Sequence, residues 1–194
     1  MSDFTFDEAL HRYTLDGVVL PSVTQIMKPL YDFSAVNPDI LRRAGEFGTA
    51  VHKTVELYLN DDLDEDALDS PLYGCLLAFK AWQLDNFDID LDGARLEQFS
   101  YHKKLKYAGT PDIETDQFII DLKSRKCNPL NDGIQLAAYD NMTGSGKRDR
   151  YVVELNQDTS YVFTKLPTRG MFEKFRYLLD YYKMGEEINR WKTK

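Results

Sequence analysis

Apolar and polar positions change rhythm along the chain in blocks that predict a succession of strands and helices. Phe4 to Leu20 alternates and turns at Asp16–Gly17, which reads as a hairpin of Arg12–Leu15 with Val18–Leu20. Pro21 breaks it. Ser22, with Gln25 three residues on, matches a capping box opening a short helix. Asn37–Pro38–Asp39 supplies a capping side chain, a proline at the first helical position and an acid against the dipole. A helix from there to about Leu59 carries an apolar stripe of Leu41, Val51, Val55 and Leu59. Asn60–Asp69 reads as an acidic loop. Ser70–Pro71 restarts helix, with Leu76, Phe79, Trp82 and Phe87 as its core face. Leu96–Tyr101 reads as a strand and His102–Lys106 as a basic turn. Asp132 to about Met142 reads as helix, and Tyr151–Leu155 with Tyr161–Leu166 as a second hairpin. Pro167–Thr168 opens a long amphipathic helix through Phe172, Phe175, Leu179 and Tyr182 to about Trp191.

The stretch Gly109–Lys123, GTPDIETDQFIIDLK, organises the rest. Two apolar runs flank a polar turn at Glu114–Gln117, so a tight hairpin is expected. If its loop holds an even number of residues, Asp112 pairs opposite Ile119 and shares a face with Asp121 and Lys123. An odd loop breaks that geometry. Two carboxylates and an ammonium on one patch suit a hard divalent cation that keeps waters and shares a substrate phosphate. The lysine can orient or deprotonate a water, or offset charge on the phosphate. The bland alternative is a surface hairpin whose charges face solvent.

With 194 residues, 43% hydrophobic and 29% charged, the chain reads as one globular domain. No apolar run approaches the roughly 20 residues that cross a bilayer. The acidic start MSDFTFDEALHRY lacks signal-peptide features, so a cytoplasmic protein without membrane contact is expected. Cys75 and Cys127 are too few for a disulfide framework, a structural zinc site or a four-cysteine cluster. The net charge of −8 opposes a nucleic-acid partner bound through Lys and Arg alone. Much of that acid lies in Asn60–Asp69, while basic runs occur at His102–Lys106, Lys123–Lys126 and Lys147–Arg150. A bound metal supplies part of the missing positive charge. Each basic run alone reads equally as a solvated face. His52 sits on a helix with Gly45 and Gly48, each costing about 1 kcal/mol relative to Ala. Small residues there let a backbone or a substrate come close, although a lone helical His is more often structural.

In order, then, come Gly48-x-x-x-His52, Glu97, Gly109-Thr-Pro-Asp112, Asp121-Leu-Lys123 and Gln135-x-x-x-Tyr139. This series resembles the PD-(D/E)XK nuclease superfamily, in its RecB-type, phage-exonuclease branch. HRYTLDGVVLPSVTQIM also resembles the opening segment of small phage-type exonucleases of that branch. The likeness spans about Tyr13 to Tyr139. It implies an α/β, restriction-endonuclease-like core, a mixed central β-sheet flanked by α-helices, in a single domain over 1–194. An N-terminal hairpin–helix segment (about 1–36) and a C-terminal long helix (about 168–191) would flank that core. It implies Mg²⁺ or Mn²⁺ held by His52, Asp112, Asp121 and the Leu122 carbonyl, with Lys123 catalytic and Glu97 assisting it or a second metal. It implies DNA contacts from Gln135 and Tyr139, which in the family touch DNA or the active-site lysine, and from Ser124, Arg125 and Lys126. The iron–sulfur subgroup's clustered cysteines are missing, and Asp121 stands where many members have Glu. The implied activity is DNA phosphodiester hydrolysis, exonucleolytic in phage or bacterial recombination or repair. A structure-specific or single-strand endonuclease and a non-catalytic DNA-binding module are the alternatives. A recombination or single-strand-binding partner and an oligomer stay open.

Overall fold

Asp16 and Gly17 both take positive φ, 50° and 79°, the two-residue geometry that matches the twist of a hairpin. In the computed structural model, which describes residues 3–143 and 146–192, they join β2 (Arg12–Leu15) to β3 (Val18–Leu20). β1 (Phe4–Asp7), which the alternation did not separate, pairs antiparallel with β2 and completes a three-stranded sheet. Ser22 then caps α1 (Val23–Ile26): its Oγ accepts from Gln25 N, and its own N–H donates to Gln25 Oε1, each at 3.0 Å. Asn37 Oδ1 accepts from Asp39 N at 2.8 Å and opens α2 (Pro38–Leu59). The acidic stretch after it is not wholly loop. Glu65–Ala67 forms a 3₁₀ turn, and Glu65 accepts from Lys80 on α3 (Ser70–Asp85) at 2.6 Å. α3 buries Leu76, Phe79 and Trp82, but ends before Phe87, which is exposed; Asn86 closes the helix on the Trp82 carbonyl.

A mixed five-stranded sheet forms the centre, flanked by helices. Its strands are β4 (Arg95–Leu96), β7 (Ile113–Glu114), β8 (Phe118–Lys123), β9 (Asp149–Leu155) and β10 (Tyr161–Lys165), in the order β10-β9-β8-β7-β4. β5 (Ser100–Tyr101) and β6 (Ala108–Gly109) pair separately. β8 and β9 run parallel, joined over one face by α4 (Pro129–Thr143). β8 is buried from Phe118 to Leu122, covered on both sides, which explains the apolar run Phe118–Ile120 at its start. Ile119 enters a core with Val23, Ile26, Ala137 and Phe175, whereas Ile120 and Leu122 enter one with Val51, Val55, Phe79 and Trp82. α5 (Met171–Lys192) starts later than Pro167, because Gly170 at φ 74° interrupts the backbone. No helix among the described residues is long and apolar enough to cross a membrane.

The Lys147–Arg150 run departs most from a solvated face: Arg148 and Arg150 are buried. Asp140 on α4 accepts from Arg148 Nε at 2.8 Å and from Arg150 Nη2 at 3.0 Å, and Arg148 Nη1 donates to Glu114 at 2.8 Å. This network ties α4 to β7 and to the start of β9. On the other face, α3 meets the β9–β10 turn closely: a Cβ on Gly74 would lie 2.1 Å from the Gln157 carbonyl oxygen. Gly74→Ala is therefore expected to cost about 1–3 kcal/mol despite alanine's better helix propensity. A thermal melt checks it, and an unchanged or higher midpoint would contradict the close approach.

Candidate metal centre

The central hairpin closes with a four-residue connection, Thr115 N donating to Phe118 O at 3.0 Å. Ile113 pairs with Ile120 and Glu114 with Ile119. Continuing that register sets Asp112 opposite Asp121, two residues from the expected partner Ile119. The even connection preserves the shared face of Asp112, Asp121 and Lys123, because side chains alternate with a period of two. Asp112 Oδ2 accepts from Leu122 N at 2.6 Å, which fixes the carboxylate at the strand's edge. A strand residue's N–H and C=O point to the same neighbour, so the Leu122 carbonyl faces that edge too.

α2 brings His52 to this edge: its Nδ1 lies 3.3 Å from Asp112 Oδ1 and 3.7 Å from Glu97 Oε1. Glu97 reaches it through an unusual backbone. The segment Leu96–Tyr101 is not one strand but breaks at Glu97, whose φ is 45°. Few non-glycine residues take that conformation, and those that do cluster at functional sites. Glu97 N donates to the Asp112 carbonyl at 3.0 Å, so the break is held by the same residue whose side chain it approaches. His52, Glu97 and Asp112 each offer a ligand atom within 4.8 Å of the others.

The sequence-derived ligand set is thus only partly assembled. His52 and Asp112 meet, and Glu97, expected to assist, stands beside them. Asp121 instead faces Lys123 Nζ at 2.5 Å, yet its buried Oδ2 has no aligned hydrogen-bond partner. Lys123 Nζ also donates to Gln135 Oε1, and Gln135 Nε2 to the Tyr139 hydroxyl, both at 3.3 Å. Tyr139 packs against β6, where a Cβ on Gly109 would meet its ring at 2.6 Å. Asp112, Asp121, Gln135 and Tyr139 line a cleft of 750 Å³ with His52 and Glu97. Leu122, Lys123, Ser124, Arg125 and Lys126 stand outside that lining, Lys123 just behind Asp121 and Gln135. Arg125 is committed instead to the buried Asp132, at 2.6 Å.

Sequence reasoning did not pick out Thr49, Lys53 and Glu56, which line the cleft with His52. Their spacing from His52 marks one face of α2, a signal the helix pattern contained. Phe6, His11 and Tyr13 line it from the N-terminal sheet, and Tyr13 and Thr110 hydroxyls bond at 2.8 Å. That wall arises from folding alone and has no local signature.

The electrostatics follow from burial and crowding. Burial, then the Asp112 charge, pushes Glu97 up to about 7 against the pull of His52. Burial and Asp112 push Asp121 up to about 6, with Lys123 opposing. Burial disfavours the His52 cation, but Asp112 and Glu97 outweigh it and hold its pKa well above 6.5. Burial raises Asp112, but His52, Lys123 and the Leu122 N–H outweigh it and hold Asp112 below 3.8. Lys123 behaves like His52, with burial overcome by Asp121 and Asp112 to raise it above 10.5.

A pH dependence of stability follows. Glu97 and Asp121 keep protons in the folded chain that they lose in the unfolded chain near 4.5 and 3.8. Folded-state proton uptake then exceeds unfolded-state uptake from about pH 4 to 7, so stability falls as pH rises through that window. The His52 charge stabilises fully below 6.5 and is lost as pH climbs through its raised value. Asp112 acts oppositely, its contribution lost only as pH falls below 3.8. In chelator, the melting midpoint is expected to be higher at pH 5.5 than at pH 8, with Glu97→Gln flattening the slope. Equal slopes for wild type and variant would rule out this origin.

The donor chemistry fits a hard divalent ion: the carboxylate oxygens of Asp112 and Glu97 and one imidazole nitrogen, within 4.8 Å of one another. Comparison with family models and with curated proteins finds no match.

Proposed function

We propose that this chain is a Mg²⁺- or Mn²⁺-dependent nuclease of the PD-(D/E)XK kind, hydrolysing DNA phosphodiester bonds on a restriction-endonuclease-like core. Exonucleolytic action in phage or bacterial recombination or repair is the leading form. The observation that carries this reading is the meeting of His52, Glu97 and Asp112 in the cleft wall, with the Asp121–Lys123 pair on the adjoining strand. A parallel β8–β9 pair crossed by α4, with the acid–lysine strand at its centre, supports the core assignment.

His52, Asp112 and Glu97 would hold the cation, with Asp121 and the Leu122 carbonyl beside them. A bound Mg²⁺ or Mn²⁺ supplies positive charge to the phosphate and acidifies the attacking water. Lys123 stays protonated, so its part is to offer charge and a donor to the phosphate rather than to act as base. Gln135 positions Lys123 through its Oε1, and Tyr139 positions Gln135. Asp121 holds the ammonium from the other side.

The test is incubation with end-labelled linear duplex, linear single strand and closed circular DNA, with Mg²⁺, Mn²⁺ or chelator. Cation-dependent loss of the linear substrates with the circle intact is expected. Cutting of the circle would make the enzyme an endonuclease. Failure to cleave any substrate with either ion, or cleavage persisting in chelator, would overturn the proposal.

A further inference from the structure

Helix α5 carries two apolar stripes. One, through Met171, Phe175 and Leu179, is buried in the core with α4. The other runs through Tyr177, Tyr181, Met184, Ile188 and Trp191, exposed by 75%, 59%, 51%, 47% and 83%. At 100° per residue these stripes lie on nearly opposite sides of the helix. Spacings of four, three, four and three residues give two heptads of apolar positions along one face, the arrangement that two helices can bury against each other. From Glu186 to Lys192 every residue is exposed, and Tyr181, Met184 and Ile188 border a shallow groove whose other wall is Gln25, Ile26, Lys28 and Pro29.

We propose that this seam pairs two copies of the chain through α5, parallel and in register. Tyr181 and Ile188 then occupy the first apolar position of each heptad, and Tyr177, Met184 and Trp191 the second. Glu187 flanks one side of the seam and Lys192 the other. In the parallel pair each Glu187 faces Lys192 of the second copy, two attractive contacts. In an antiparallel pair Asp180 and Glu187 would face each other, acid against acid. Three aromatic and two aliphatic side chains at these exposures remove roughly 1,000 Å² from water across two copies, the size a specific interface must reach.

The test is light scattering of the full chain after size exclusion, across a range of concentrations in the micromolar range. The wild type is expected at twice the 22.5 kDa chain mass with a melting midpoint that rises with concentration, and the exposed-site variant Ile188→Asp at the single-chain mass with unchanged helical circular dichroism and a concentration-independent midpoint. Trp191→Cys under mild oxidation is expected to yield a covalent dimer beyond that of the parent chain, because only the parallel register brings the two 191 positions together. A wild type that stays single at every concentration overturns the proposal. So does a dimer that survives Ile188→Asp, or one that Trp191→Cys fails to cross-link.

Discussion

Asp112→Asn is expected to lower cation-dependent cleavage on the order of 10³-fold, the scale on which a preorganised charge-stabilising group acts. The asparagine oxygen can still accept from Leu122 N–H, now 2.6 Å from Asp112 Oδ2, so the strand edge should survive. What disappears is the negative charge that faces His52 at 3.3 Å and belongs to the proposed ligand set. Two readouts separate that loss from misfolding. Mn²⁺ affinity by calorimetry should drop sharply, and the thermal midpoint should not fall in parallel. In chelator Glu97 also loses the like-charged neighbour that helps raise it, so its own titration should move to lower pH. Cleavage and Mn²⁺ affinity both at wild-type levels would remove Asp112 from the site.

Asp140→Ala, remote from the cleft lining, is expected to be among the most destabilising substitutions in the chain. Asp140 takes Arg148 Nε on one oxygen and Arg150 Nη2 on the other, and all three residues are buried. Removing the carboxylate leaves two guanidinium groups short of their acid in a low-dielectric interior. Breaking a buried pair costs about 3–5 kcal/mol. At this chain length that is a fall in melting midpoint of roughly 10 °C. Glu114 still receives Arg148 Nη1, so the structure should weaken without collapsing. Arg42→Ala, which breaks an exposed pair with Glu46 on α2, is the contrast and should cost less than about 1 kcal/mol. Equal effects from the two variants would mean that burial of the network does not matter.

Much of the local structure is legible from residue order because its causes lie within a few positions. Asp16–Gly17 determines a turn through the backbone freedom of those two residues, and Ser22 with Gln25 determines a helix start through reciprocal bonds. Asn37–Pro38 does the same for α2. The parity of Asp112, Asp121 and Lys123 follows from the strand period once an even connection is assumed, and the four-residue connection supplies it. The mixed sheet with flanking helices, which the family resemblance implied, is present.

Tertiary structure alone decided the rest. It set the hairpin register two residues from the expected one, with β8 packed on both faces. It broke the strand at Glu97, a backbone outlier that only contacts distant in sequence can sustain. It drew Glu97 into the ligand cluster and paired Asp121 with Lys123, since which carboxylate meets which cation depends on helices docked far along the chain. It also withdrew Arg148 and Arg150 from solvent, where charge pattern had placed them, because an acid on α4 awaited them. Short-range chemistry is written in neighbouring residues, whereas burial and charge pairing belong to the assembled core. Residue types and their spacing therefore named the candidates, and the fold chose which of them stand together.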